Sequence, residues 1–315
     1  MTLYSNVLEL IGNTPLVDIS QLSPNPSVRI VAKLEGQNPG GSVKDRIALY
    51  MIEDAEKNGK LSSGSTILEP SSGNTGIGLA MIARAKNYSL NIVMPENVSR
   101  ERRQALEAWG ANIIDSPGSQ GSNGAVRMAQ RIAKENPEYV FLYQYGNPAN
   151  PRAHFEGTGP EIYRDCPEVT HFVAGLGTSG TLIGVGSFLK SKNPDVKVWA
   201  IEPPSGEMVD GLRSLDDGYI PPIFVENNGS DLLDRRTIIS PRESIEWLRK
   251  IASIGIFAGI SSGAVMAGAA RCAESISEGV VAVVFADGGW KYLSTGAWSD
   301  DIDLVVERAK SIIYF

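Results

Sequence analysis

The run GGSVKDRIALYMIEDAEKNG, residues 40–59, puts a cation where a helix disfavours one. Ser42 and Asp45 have the spacing of a capping box, and Ile47, Ala48, Tyr50, Met51 and Ala55 recur at helical intervals before Gly59. This predicts a helix capped by Ser42. Lys44 then lies in its first turn beside Arg46, against the positive end of the helix dipole and unpaired N–H groups. Such a setting is expected to lower the pKa of the amine and favour its neutral form, which attacks carbonyl carbon or takes a proton from carbon. Taken alone, Lys44 also fits a solvated surface lysine.

Two glycine-rich turns have the composition of anion sites. SSGNTG (71–76) follows the strand-like STILE, and GLGTSGTLIG (175–184) follows THFVAGL. Small residues let backbone N–H groups approach a ligand, and Asn74 and Thr75 add side-chain hydrogen bonds. Gly177, Thr178, Ser179, Gly180 and Thr181 can form a nest of amides and hydroxyls at a helix start, a phosphate cradle in physical terms. Either turn alone also fits a tight strand–helix connection. No G-K-[ST] follows the second turn. Its match to G-x-G-x-x-G comes late, with only Glu202 as a weak ribose partner, so mononucleotide and dinucleotide readings rank low. In GIFAGISSGAVMAGAA (255–270), Ser261 and Ser262 open a helix of very small residues; this is either close packing or a hydroxyl set against a ring nitrogen. A carbonyl-reactive lysine together with a phosphate cradle points to pyridoxal 5'-phosphate (PLP), an electron sink for carbanions.

The elements that must position these groups alternate. Strand-like runs occur at 28–34, 65–69, 90–94, 111–115, 139–145, 170–176, 196–202 and 280–286, with helical patterns between them and a Pro-broken helical region at 149–165. Short, nearly unbroken apolar runs suit parallel strands covered on both faces, so the class is α/β with doubly wound sheets. The weakly periodic stretch from Pro203 to Pro241 is expected to be a long functional loop.

The 315 residues are enough for two domains, and 42% apolar and 21% charged content is ordinary for a globular chain. A net charge of −7 argues against general nucleic-acid binding. Two distant cysteines, Cys166 and Cys272, give neither a disulfide framework nor a metal site, which makes a cytoplasmic setting the default. The opening MTLYSNVLELIGNTPLV has no signal-peptide pattern, and no apolar run approaches a membrane span. His154 and His171 lack nucleophile or metal company, so packing or surface roles are expected, and SRERRQ (99–104) is expected to be a solvated basic face.

IGNTPLV (11–17), NPGGSVKDR (38–46), SSGNTG (71–76), YQYGNPANP (143–151), GTSGT (177–181), GISSGA (259–264) and KYLSTG (291–296) occur in the order found in the cysteine synthase family of fold type II PLP enzymes, which the chain resembles over nearly its whole length. The resemblance implies two doubly wound domains, residues 36–146 and residues 1–35 plus 147–315, with the cofactor in the cleft between them and a homodimer. It implies Lys44 as the Schiff-base lysine and Asn74 as partner of the ring hydroxyl. It further implies 177–181 as the phosphate loop, Ser261 as partner of the ring nitrogen, and Ser71, Ser72, Thr75 and Gln144 as receivers of the substrate carboxylate.

The implied reaction is β-replacement on an O-activated L-serine to give cysteine. The segment EPPSGEMVDGLRSLDDGYIPPIF (202–224) resembles the B/M-type branch, whose actinobacterial members use O-phosphoserine and a thiocarboxylated sulfur-carrier protein. The arginine that grips the substrate phosphate there aligns with Arg213. O-Acetylserine with sulfide or thiosulfate is the alternative substrate pair. In that branch the C-terminal tail can enter the active site, and IIYF at the end of this chain is a candidate for the same; docking at a dimer interface is the other reading. A serine or threonine dehydratase, a serine racemase, a non-catalytic relative and a nucleotide-binding oxidoreductase are the competing readings.

Overall fold

Parallel strands buried on both faces leave their carboxyl ends as the one place where polar loops can gather, and this chain is built from such strands. A computed structural model describes residues 3–98 and 100–311. The strands are β1 (Leu16–Asp18), β2 (Val28–Leu34), β3 (Thr66–Pro70), β4 (Ser89–Pro95), β5 (Asn112–Ser116), β6 (Tyr139–Phe141), β7 (His171–Gly175), β8 (Lys197–Glu202), β9 (Arg235–Ile238) and β10 (Gly279–Phe285). They belong to two compact bodies. The smaller contains residues 3–11 and 38–150; the larger contains Gly12–Gln37 and Pro151–Lys310. The sequence division assigned residues 1–35 to the larger body, whereas residues 3–11 here go with the smaller one.

In the smaller body the sheet order is β5-β4-β3-β6, all parallel. Its helices are α1 (Lys44–Lys57), α2 (Asn74–Lys86), α3 (Arg100–Ala108) and α4 (Gly121–Glu135). The face of α1 that repeats at helical spacing, Ile47, Ala48, Met51 and Ala55, is buried. From Thr75 to Ala83, α2 is buried on every side, and this explains its small residues: α1 and β4 must both approach it closely.

The larger body has the order β1-β2-β10-β7-β8-β9, with only β1 antiparallel. Its core packs Ile30, Val173, Ile201, Val281 and Phe285 of the sheet against Val265, Met266 and Ala269 of the helix Ile260–Ser275. Lys33 in β2 is wholly buried; it pairs with Glu161 at 2.7 Å and donates to the Thr14 carbonyl, so the charge is compensated where water cannot reach.

Three expectations change. The run 139–145 is a strand only over Tyr139–Phe141, because Tyr143 takes a left-handed backbone (φ +53°) that ends the ladder. The stretch from Pro203 to Pro241 is not one loop: it contains the helices Pro222–Glu226 and Gly229–Leu232 and the edge strand β9, whose exposed residues dilute its apolar signal. The antiparallel β1, three residues long and only partly buried, is likewise too short to announce itself. The IIYF tail and Ser99 lie outside the described residues. Among the described residues no helix is long and apolar enough to cross a membrane.

The helices Pro241–Ser253 and Ile260–Ser275 touch backbone to backbone at Gly263, where a Cβ would stand 1.9 Å from the Ser244 carbonyl oxygen. A backbone oxygen cannot swing aside as a side chain does. The substitution Gly263→Ala is therefore expected to destabilise the protein by about 1–3 kcal/mol, read as a lower midpoint in urea unfolding.

Candidate active site

Within the smaller body, Lys44 is half-buried at the first position of α1. Its backbone N–H donates to Ser42 Oγ at 3.2 Å, and Val43, in helical backbone, occupies the cap position. The capping box is not formed: the Asp45 carboxylate turns back to accept the Gly40 N–H at 2.6 Å. The physical reason is burial. Gly40 and Asp45 are both shut away from water, so the loop N–H needs a partner more than the helix end does. The α1 helix meets α2 where Asp45 and Ala48 lie against Gly78.

The turn after β3 is knitted by its own hydroxyls. Ser71 Oγ accepts the N–H of Gly76 at 3.0 Å and stands in for a cap on α2, whose Gly73 N-cap has none. Buried Thr75 donates from Oγ1 to Gln144 Oε1 at 2.7 Å. The carboxylate of Glu69 accepts the N–H of Tyr143 at 2.7 Å and of Gln144 at 3.0 Å. Ser71, Ser72, Asn74, Thr75 and Gln144 therefore gather at the carboxyl ends of β3 and β6. Arg102 reaches from α3 to the Ser72 carbonyl, with Nη1 at 3.4 Å, and is buried. The expected solvated face of SRERRQ is corrected at that residue: Arg102 and Leu106, four apart, form the buried side of α3.

Within the larger body, the loop after β7 carries Gly177, Thr178, Ser179, Gly180 and Thr181 into the helix Gly180–Lys192. Ser179 is its N-cap in left-handed backbone (φ +72°), makes no side-chain cap bond, and the first turn has no acidic residue. A Cβ on Gly177 would lie 2.8 Å from the Gly211 carbonyl oxygen, and a Cβ on Gly211 would lie 3.9 Å from Ser261 Oγ. Ser261 is buried at the start of its helix. The Arg213 N–H donates to the Leu176 carbonyl at 2.7 Å, and its guanidinium lies over the Tyr219 ring at 5.2 Å. The structure thus brings the glycine loop, Ser261 and the Arg213 segment to one strand end.

His154 lies inside the larger body. It is fully buried; Nδ1 meets Thr158 Oγ1 at 2.9 Å and Nε2 meets Thr181 Oγ1 at 3.3 Å, so it braces the last residue of the glycine loop. His171 does pack, against Trp199, and burial lowers its pKa. Glu202 is wholly buried and engaged by Arg236, at 2.6 and 3.0 Å, and by the Leu215 N–H at 2.8 Å. An acid so occupied cannot bind a ribose, and the dinucleotide reading loses its key partner. Burial pushes the Cys166 thiol up to about 11 and the Cys272 thiol up to about 12, which keeps both protonated and unreactive at neutral pH.

The donor set fits a phosphate-bearing cofactor. Amides at a helix start, hydroxyls, and a glycine whose missing Cβ leaves room for close approach stand together, and the first turn of that helix carries no acidic residue. The model of the family described as "pyridoxal-phosphate dependent enzyme" matches residues 7–287. The chain belongs to that family. It is 41% identical to cysteine synthase B of Escherichia coli (strain K12) over 299 residues, covering 94% of this chain and 97% of that one. The solved cysteine synthase (OASS) of Entamoeba histolytica superposes with a TM-score of 0.89 at 34% identity, over 96% of this chain and 95% of that one. The O-acetylserine dependent cystathionine beta-synthase of Helicobacter pylori does so with 0.88 at 34% identity, over 95% and 100%. The protein is a PLP-dependent enzyme of the cysteine synthase type, with the α/β fold of type II.

Glu69, Arg102 and His154 escaped the sequence reading. Glu69 stood in view between STIL and PSSG, but nothing in one sequence says that an acid at a strand end turns inward. Because Gly177 sits against a backbone oxygen, Gly177→Ala is expected to weaken PLP retention about tenfold or more, measured as cofactor remaining after dialysis, with the fold intact by circular dichroism.

Proposed function

We propose that this chain is a cysteine synthase that replaces the phosphate of O-phospho-L-serine with sulfur. In this reading Lys44 holds PLP through its ε-amine, Asn74 meets the ring hydroxyl, residues 177–181 cradle the phosphate and Ser261 faces the ring nitrogen. When bound, the cofactor supplies the sink for the electron pair left as the Cα–H bond breaks. Lys44 Nζ takes the Cα proton and later returns it, which requires its neutral form. Ser71, Ser72, Thr75 and Gln144 receive the substrate carboxylate with neutral donors. Ser261 offers a hydroxyl, which cannot hold a proton on a ring nitrogen as a carboxylate would; this favours rapid loss of the β-substituent over racemisation. The Cβ–O bond breaks with its electrons leaving on the phosphate, and a sulfur lone pair forms Cβ–S.

The observation that carries the choice of phosphate is the anchoring of Arg213. Its backbone is tied to the Leu176 carbonyl beside the glycine loop, so its guanidinium is held near that strand end and can take a phosphate bidentately. The sulfur donor in this reading is a thiocarboxylated carrier protein, whose acyl–sulfur bond is then cleaved by water to free cysteine and return the carrier's carboxylate, with sulfide as the simpler alternative. A second reading, O-acetylserine, is favoured by the O-acetylserine dependence in the name of the Helicobacter pylori relative.

Stopped-flow spectroscopy with both substrates separates the two. O-Phosphoserine is expected to react faster, and Arg213→Ala to cut its kcat/KM about 10–100-fold, the worth of a hydrogen bond to a charged group, while leaving O-acetylserine nearly unchanged. Faster reaction of O-acetylserine, or normal phosphoserine turnover by Arg213→Ala, sinks the assignment. Lys44→Ala is expected to lower turnover by about a thousandfold and to abolish borohydride fixation of PLP to the chain.

A further inference from the structure

We infer that Glu69 is the positioning residue that sets the Gln144–Thr75 pair and so tunes how tightly the amino-acid substrate is held. The inference rests on the proposed role of Thr75 and Gln144 in receiving the substrate carboxylate. Gln144 is gripped at three polar groups: its N–H by Glu69 Oε1, its carbonyl by Asn150 Nδ2 at 2.9 Å, and its side-chain oxygen by Thr75 Oγ1. The Gln144 side chain also contributes to stabilising the ionised Glu69 carboxylate. Once Thr75 takes the amide oxygen, the direction of the amide NH2 is fixed.

What holds this arrangement is not the backbone alone. Tyr143 is a bulky non-glycine residue in left-handed backbone, a conformation that persists only where neighbours enforce it. The enforcing contacts are the two N–H bonds to Glu69, from consecutive residues to the two oxygens of one carboxylate. Glu69 is fully buried in β3, next to the turn that carries Ser71 and Thr75. One side chain therefore ties the two segments of the substrate subsite to each other.

The surroundings of Glu69 are neutral. The 143–144 turn presents amides, with the phenols of Tyr143 and Tyr145 as the titratable groups on that segment. On β4 its register partner is Ile92, on β6 the neighbouring pair is Leu68 with Phe141, and no charged side chain perturbs it. Burial pushes the carboxyl up to about 8, against the pull of the amide donors. Below that pH it is mostly protonated and gives up part of its acceptor capacity; above it, the ionised form grips both N–H groups through charge-assisted bonds.

Two measurements on the holoenzyme decide it. Tyr143–Gln144 is the sole Tyr–Gln pair in the chain, so labelling tyrosine carbonyls with carbon-13 and glutamine amides with nitrogen-15 isolates one backbone N–H by NMR. That resonance is expected to move downfield with a midpoint at about 8 in the unmutated protein; a flat trace between about pH 6 and pH 10 overturns the inference. In Glu69→Gln, KM for O-phospho-L-serine is expected to rise about tenfold with kcat within about threefold and PLP absorbance retained, and Glu69→Asp to fall between. An unchanged KM, or a rise in KM accompanied by a fall in both kcat and thermal midpoint, overturns it. If the unmutated protein fixes no PLP and turns over neither serine ester, the functional reading fails instead, and the amide titration, which needs no turnover, still reports whether Glu69 grips the turn.

Discussion

The contact between Gly177 and the Gly211 carbonyl, backbone against backbone, is the constraint on which the arrangement at the carboxyl end of β7 depends. It lets the loop after β7 lie flat against the 209–213 segment, and it brings Ser261 and Arg213 to the same strand end. Any side chain at residue 177 would push these apart. The same logic runs through the helix Ile260–Ser275, whose small residues let Gly263 touch the Ser244 carbonyl and seat the helix that carries Ser261. Close approach, not any special reactivity of glycine, is what the glycines provide here.

In the smaller body the corresponding constraint is polar. A carboxylate without a counter-charge is costly to bury, and Glu69 meets that cost with amides alone. Lys33 in the larger body shows the other solution: an ion of the same burial is matched by Glu161 and the Thr14 carbonyl. An acid held by amides alone has its pKa pushed up by burial, as Glu69 does.

Much of the fold was legible because buried parallel strands read as short apolar runs: β2 was bounded to the residue, and β4, β5, β7, β8 and β10 to within one or two. What failed were elements whose signal is not apolar. The edge strands β1 and β9 are short and partly exposed, and β6 stops where Tyr143 turns left-handed, a choice made by Glu69 from 74 residues away. The site was legible as composition, not as connection. The loops at 71–76 and 177–181 could be seen in the sequence, but the contacts that brace them come from Arg102, His154 and Glu69, and such long-range partners leave no local pattern. The capping box at Ser42 is the sharpest instance: its spacing is right, yet Asp45 serves Gly40, because a buried loop amide outweighs a helix end with other partners.

Five non-glycine residues among those described adopt left-handed backbone: Asn13, Asn87, Tyr143, Ser179 and Asn228. Asparagine tolerates that region, its short polar side chain bonding locally, so three of the five are unremarkable as turns. The two that are not asparagine are Tyr143, in the turn after β6 of the smaller body, and Ser179, the N-cap of the helix Gly180–Lys192 in the larger. Strain of this kind costs about 1–3 kcal/mol and survives only where surrounding contacts over-determine it. Glu69 supplies those contacts for Tyr143. For Ser179, the loop is held on one side by Gly177 against Gly211 and on the other by Thr181 against His154. The two turns that the chain distorts are thus the two that it must hold still, and in both the restraint is supplied from outside the motif that a sequence displays.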